Sequence, residues 1–180
     1  MIKPLSHIAD VTRYKSGASQ ALVRDSSVPI FKLSSNESVF GASPKAIARG
    51  KAWLAQGKSH LYSSGACAPL REALGRRYGV KAGQIVCGNG SDELIAMLVR
   101  AYCGVGDEVV MSRYGFIYYR IVAQAVGAVP VFADVGEAFE ETRDRFLRAC
   151  SKRTKIIFIA NPNNPTGYLW RAGALTSLCE

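Results

Sequence analysis

Residues 88–93, Gly-Asn-Gly-Ser-Asp-Glu, have the composition of an anion-binding turn. An apolar run precedes them and an amphipathic helix pattern follows, so we expect a junction between a strand and the amino end of a helix. Backbone N–H groups and the positive end of the helix dipole at such a junction attract phosphate. The alternative is an ordinary junction in which Ser91 serves only as the N-cap. The segment is neither a Walker loop nor a dinucleotide-binding fingerprint, because it lacks Gly-Lys-Ser/Thr and the third glycine.

Two further segments have residue types that suit ligand binding. Residues 161–167, Asn-Pro-Asn-Asn-Pro-Thr-Gly, follow the clearest strand pattern, and their prolines and closing glycine predict a tight loop. Asparagine side chains in that loop can donate and accept hydrogen bonds, although a plain rigid turn is the alternative. Three aromatic residues, Phe116, Tyr118 and Tyr119, can stack on a flat heterocycle, although such residues more often belong to a core. Residues 33–37 and 61–65 carry less specific polar patterns.

Helix and strand patterns alternate after residue 43. We predict helices near 43–57, 69–78, 91–104, 116–126 and 138–150, and strands at 85–87, 108–111, 129–133 and 155–160. Ile47, Trp53 and Leu54 are expected to be buried in the first of these helices. The alternation predicts an α/β fold with a mostly parallel sheet between helical layers, and ligands at the carboxyl ends of the strands.

Composition excludes several classes of protein. Of the 180 residues, 48% are hydrophobic and 21% are charged, which argues against disordered, collagen-like and coiled-coil proteins. No apolar run is long enough to cross a bilayer, and the amino terminus lacks a signal-peptide pattern. The net charge of +9 comes from scattered basic residues, which favours a solvated surface over nucleic-acid binding. The five cysteines match no zinc spacing, so we expect reduced thiols, no metal site and a cytoplasmic protein.

Taken in order, five segments between Leu33 and Gly167 resemble the N-terminal half of histidinol-phosphate aminotransferases. These belong to the fold-type I aminotransferases, which use pyridoxal 5′-phosphate (PLP). The segments are an Asn-Glu motif, a tyrosine before a glycine turn, the cup at 88–93, an aromatic residue after the next strand, and the Asn-Pro-Thr-Gly loop. The resemblance implies that residues 33–180 form the N-terminal part of an incomplete three-layer αβα large domain that binds PLP. Residues 1–32 would be an N-terminal arm or a segment of the small domain.

The resemblance also implies an activity and roles for individual residues. The enzyme would transfer an amino group between histidinol phosphate, or an aromatic amino acid, and 2-oxoglutarate, and it would be a homodimer. Asn36 and Tyr119 would lie near the substrate. Six residues would bind the cofactor: Gly90, Ser91 and Asp92 at its phosphate, Phe116 stacked on its pyridine ring, Asn164 at its 3′ oxygen, and Tyr62 at the phosphate held by the partner subunit.

The family's Schiff-base lysine would fall beyond Glu180, so the resemblance implies no catalytic residue in this chain and we expect no transamination by the chain alone. Ser63-Ser64 and Arg113-Tyr114 depart from the family's usual residues. Two other functions stay open. The chain is either a non-catalytic remnant that binds PLP or phosphate, or an unrelated phosphate- or nucleotide-binding α/β module that uses only residues 88–93.

Overall fold

The computed structural model describes residues 2–14 and 35–180, and the chain divides into two compact units. We call Met1–Tyr14 with Gly88–Glu180 the sheet unit, and Lys15–Cys87 the helical unit. The predicted arm at 1–32 and the start of the segment at 33–37 therefore lie largely outside the described residues. The helices are α1 (Ser6–Ala9), α2 (Pro44–Leu54), α3 (Ala68–Tyr78), α4 (Ser91–Tyr102), α5 (Ile117–Ala125), α6 (Arg143–Ala149) and α7 (Ala172–Cys179). The strands are β1 (Glu108–Ser112), β2 (Val129–Ala133) and β3 (Thr154–Phe158).

The three strands form a parallel sheet with the order β2-β1-β3. β2 pairs with β1 from Val129 opposite Glu108 to Ala133 opposite Ser112. All five residues of β1 are buried, because this central strand has a neighbour on each side and helices over both faces. α5 connects β1 to β2, and α6 precedes β3, so the carboxyl ends of all three strands meet at one edge.

Helices cover both faces of the sheet. On one face α4 and α5 bury a cluster that includes Val99, Val109 and Met111. On the opposite face Val110 packs with Phe146 of α6 and with the α7 region. Neighbouring residues of β1 thus point into different cores, as the alternation of side chains along a strand requires. The predicted α/β architecture, a parallel sheet between helical layers, is confirmed.

A buried carboxylate fixes the amino end of β1. Glu108 accepts hydrogen bonds from the Ser151 hydroxyl at 2.6 Å and from Arg153 Nε at 3.0 Å. The Ser151 bond does most to lower the pKa of Glu108, and the bonds and charge of Arg153 add to it, although burial opposes the shift. These contacts tie β1 to the turn before β3, at the edge of the sheet opposite the strand carboxyl ends.

Two predicted strands differ in the structure. Residues 85–87 form no strand, and Val86 is 69% exposed. A strand needs a hydrogen-bonded neighbour, and no described strand pairs with this segment. β3 ends at Phe158, and its residues alternate between half-buried and exposed positions. Its apolar run predicted burial on both faces, whereas one face is left more open around Ile157.

Two helix predictions also need correction. The pattern at 138–150 is divided into a 3-10 turn at Glu137–Phe139 and the shorter α6, and Ala138 and Phe139 both have positive φ angles. In α2, the residues expected to be buried are 45–62% exposed: Ile47, Trp53 and Leu54. An apolar stripe is buried only where another element covers it, and no described element of the helical unit does so. Among the described residues, no helix is long and apolar enough to cross a membrane.

Candidate functional site

The turn before α4 has the geometry of an open anion site. Gly90 is the N-cap residue, with φ of 83° and ψ of 179°, a conformation that essentially only glycine adopts. No atom lies within 4 Å of the position that a Cβ would take there. No described side chain caps the helix, so the N–H groups of its first turn remain available to a ligand. Ser91 is the first helical residue and not the N-cap, so the simple capping role that the sequence left open for it is wrong.

The acidic residues beside this turn have contacts of their own. The Glu93 carboxylate accepts hydrogen bonds from the backbone N–H of Asn89 at 2.5 Å and from its Nδ2 at 3.1 Å. These two hydrogen bonds hold the turn in its conformation. Asp92 is exposed, and its negative charge adds to the burial that raises the pKa of Tyr119. α4 packs against α5 in the same unit.

Aromatic side chains follow the carboxyl end of β1. Phe116 precedes α5, is half-buried, and meets the Tyr119 ring edge to face at 5.8 Å between centroids. Tyr119 is 9% exposed and stacks on Phe158 at 4.4 Å, with the two rings 4° from parallel. Burial is the main cause of the raised pKa of Tyr119. The structure therefore places Tyr119 in the core beneath the site, while Phe116 stays partly accessible.

Two adjacent asparagines in the loop after β3 have different environments. Asn163 is 4% exposed and donates from Nδ2 to the carbonyl oxygen of Tyr114 at 3.2 Å and to Thr166 Oγ1 at 2.8 Å. Asn164 is half-buried, and its amide has no hydrogen-bond partner among the described residues. Asn163 thus holds the loop, which leaves the Asn164 amide able to bind a ligand.

The loops that bear Phe116 and Asn164 lie side by side. They follow β1 and β3, which are neighbours in the sheet, and the bond from Asn163 to Tyr114 joins them. The structure therefore brings Phe116 and Asn164 to the carboxyl edge of the sheet unit, while Gly90, Ser91 and Asp92 lie at the amino end of α4, a helix that packs against α5.

Two further predicted residues, Tyr62 and Asn36, belong to the helical unit. Tyr62 is fully exposed beside a hollow of about 450 Å³ that Trp53 and Leu61 also line. Asn36 is exposed as well. Among the described residues, no group of three or more His, Cys, Asp or Glu side chains is arranged to hold a metal ion.

Sequence reasoning missed three residues of the sheet unit. Nothing in the sequence distinguishes Asn163 from Asn164, because the two asparagines are adjacent. Ser112 Oγ and Glu141 Oε1 are buried and have no hydrogen-bond partner among the described residues. The burial of each oxygen depends on the packing of the folded chain, so no local pattern indicates either residue.

The sheet and its edge define an α/β protein with an uncapped helix end and a polar loop that follows one of two neighbouring strands. The chain belongs to the aminotransferase class I and II family, whose model matches residues 28–180.

Relatives within the family are longer than this chain. A histidinol-phosphate aminotransferase of Rhodospirillum rubrum is 45% identical over 165 residues, which cover 92% of this chain and 43% of that protein. One from Dinoroseobacter shibae is 44% identical over 179 residues, which cover 99% of this chain and 48% of that protein. The chain therefore spans less than half the length of these relatives.

Solved structures have the same fold. A histidinol-phosphate aminotransferase from Sinorhizobium meliloti, in complex with pyridoxal-5′-phosphate, superposes with a TM-score of 0.74 and 27% identity over 80% of this chain and 39% of that one. An aspartate aminotransferase from Thermus thermophilus with maleate gives a TM-score of 0.74 and 26% identity over 81% of this chain and 40% of that one. Both neighbours are fold-type I aminotransferases.

Proposed function

We propose that the protein is a PLP-dependent aminotransferase that acts on histidinol phosphate, and that the sheet unit holds the phosphate and one side of the cofactor ring. The observation that carries this proposal is the uncapped amino end of α4, which belongs to the same unit as the Phe116 and Asn164 loops that the Asn163 hydrogen bond joins. The names of the Rhodospirillum rubrum and Dinoroseobacter shibae relatives, and the ligand of the Sinorhizobium meliloti structure, support it.

The turn before α4 fits a phosphate group. Its glycine permits close approach of an anion to the backbone, because no side chain occupies that space. The first-turn N–H groups and the helix dipole supply positive potential, and the exposed Ser91 hydroxyl can add a hydrogen bond. Glu93 is engaged by Asn89, which keeps one acidic side chain of this turn in a fixed place.

The loops after β1 and β3 fit a flat heterocycle. Phe116 offers a partly accessible ring face for stacking, and the Asn164 amide is free to donate a hydrogen bond to an oxygen on the ring. When bound, PLP supplies an electron sink for amino-group transfer. These residues of the chain bind and orient the ring, and the aromatic cluster around Tyr119 excludes water beneath it.

We further propose that 2-oxoglutarate accepts the amino group, with an aromatic amino acid as the alternative donor, and that the protein is a cytoplasmic homodimer. In the dimer Tyr62 would reach the cofactor phosphate of the partner subunit and Asn36 would lie near the substrate, and the exposure of both side chains suits contacts outside their own unit.

Turnover by the 180 residues alone is not expected. Lys152 and Lys155 lie at the amino end of β3, opposite the edge that bears Asn164, so neither is placed to move a proton at the site. For the 180 residues by themselves, we therefore expect the alternative function, binding of PLP or phosphate without catalysis.

The experiment measures PLP binding by absorbance and fluorescence, and amino transfer from histidinol phosphate or phenylalanine to 2-oxoglutarate. We expect the chain to bind PLP and to show no turnover, and the complete reading frame that contains these codons to prefer histidinol phosphate. Phe116→Leu and Asn164→Ala are expected to weaken PLP binding, with Lys152→Ala, an exposed residue at the opposite edge of the sheet, as the control. Binding of ATP that is tighter than that of PLP would overturn the proposal in favour of a nucleotide-binding module.

A further inference from the structure

A buried hydrogen bond joins two residues that the proposed site does not use. Trp170 donates from its indole Nε1 to Oε2 of Glu141 at 2.8 Å. Trp170 is 4% exposed and Glu141 is 2% exposed, and the indole ring meets Phe146 edge to face at 5.5 Å. The contact lies in the core on the α6 face of the sheet.

Trp170 also closes the base of the loop that carries Asn164. Its backbone N–H donates to Asn161 Oδ1 at 2.9 Å, and Asn161 Nδ2 donates to its carbonyl oxygen at 3.4 Å. Within the loop, the Asn163 N–H donates to the carbonyl oxygen of Tyr168 at 2.8 Å. The indole of Trp170 thereby anchors a hydrogen-bonded loop to the core.

Burial of the Glu141 carboxylate at this position is energetically unfavourable. Burial of a polar group is unfavourable unless its hydrogen bonds are satisfied, and Glu141 Oε1 has no partner among the described residues. An apolar pair would fill the same space without that cost, since Phe146 and its neighbours already form an apolar cluster. The hydrogen bond therefore contributes something that packing does not, namely a fixed position and rotation for the indole.

We propose that Glu141 and Trp170 are a positioning pair: their hydrogen bond holds the Asn164 loop in the position in which Asn164 can contact the cofactor ring. The pair acts through the loop and does not touch the cofactor. This inference rests on the proposed function only for the identity of the ligand, because the anchoring of the loop stands on the hydrogen bonds themselves.

The test compares four variants of the full chain. Trp170→Phe keeps an aromatic ring and removes the N–H donor, and Glu141→Leu removes the acceptor. Glu141→Gln keeps an acceptor oxygen and is the conservative control. The double variant Glu141→Leu/Trp170→Phe removes both partners, so it recovers thermal stability relative to Glu141→Leu while the anchor stays lost.

Two dissociation constants separate positioning from general damage. PLP needs both the α4 turn and the Asn164 loop, whereas inorganic phosphate needs only the turn. We expect Trp170→Phe and the double variant to weaken PLP binding about tenfold, as for one lost hydrogen bond, with phosphate binding unchanged. Glu141→Gln should bind both ligands like the unmodified chain. Equal weakening of PLP and phosphate, or full recovery of PLP binding in the double variant, would overturn the proposal.

Hydrogen exchange provides a readout that is independent of any ligand. Amides at 161–169 should exchange faster in Trp170→Phe and Glu141→Leu, while those of β1 stay protected and Glu141→Gln stays unchanged. If the unmodified chain binds no PLP, the proposed function fails, and these exchange rates alone decide the role of the pair. Loop exchange that is the same in all variants would refute it.

Discussion

The Asn163 side chain donates a hydrogen bond of 3.2 Å to the carbonyl oxygen of Tyr114, and so connects the loops after two neighbouring strands. One loop carries Phe116 and the other carries Asn164. The relative position of these two side chains therefore depends on a third residue, Asn163, that is only 4% exposed.

Asn163→Ala is expected to lower the free energy of unfolding by about 1–3 kcal/mol, because it removes buried hydrogen bonds to Tyr114 and Thr166. Asn164→Ala is the matched control. Its amide has no partner among the described residues, so stability should change by less than about 0.5 kcal/mol. Urea unfolding monitored by circular dichroism measures both values. Equal destabilisation by the two variants would contradict the separate roles assigned to these neighbours.

Gly90→Ala is expected to lower the free energy of unfolding by about 1–3 kcal/mol, because φ of 83° with ψ of 179° strains any residue with a Cβ. No clash contributes, since no atom lies within 4 Å of the added Cβ. Gly173→Ala is a control with the opposite sign: this exposed glycine lies inside α7, where alanine should stabilise by about 0.5–1 kcal/mol. Thermal melting of both variants checks the contrast, and a Gly90→Ala variant as stable as the unmodified chain would refute the strain argument.

The stability of the chain should fall in acid partly through Glu108. Its pKa is held below the ordinary value of about 4.5 by the Ser151 hydroxyl and Arg153. The unfolded chain therefore takes up a proton at higher pH than the folded chain, so the stabilisation is present above pH 4.5 and is lost as pH falls through the folded pKa.

Urea midpoints measured across this range provide the test. The stability difference between the unmodified chain and Glu108→Gln should be constant near neutral pH and should shrink as the pH falls below about 4.5. Glu72→Gln, an exposed carboxylate in α3, serves as the control. A difference for Glu108→Gln that stays constant down to pH 3 would rule out this residue as a source of the acid sensitivity.

The ring of Tyr119 is expected to contribute more to the stability of the fold than its hydroxyl group does. Tyr119→Phe keeps the stack on Phe158 and should change stability by less than about 0.5 kcal/mol, whereas Tyr119→Ala should cost about 3–5 kcal/mol. Chemical denaturation gives both values. The same two variants test the predicted place of Tyr119 near the substrate, because a hydroxyl that contacts substrate would make Tyr119→Phe alter ligand affinity without altering stability.

The sequence alone determined the class of fold and the segments that form the edge of the sheet. Alternating patterns placed β1, β2 and β3 between helices, and the order of the turn at 88–93, the aromatic residues and the asparagine loop indicated the family. These features are local, since glycine, proline and apolar periodicity act over a few residues. The same local reasoning failed for 85–87, because an apolar run becomes a strand only where another strand pairs with it.

Only the tertiary structure decided which residues support the site and which are free to bind. Asn163 and Asn164 are the same residue type side by side, and they differ because the partner of Asn163, Tyr114, lies 49 residues away in the chain. Trp170 and Glu141 are 29 residues apart, and Tyr119 of α5 stacks on Phe158 of β3. Such contacts arise when the sheet brings distant segments together, so the physical role of each residue depends on neighbours that its own segment does not contain.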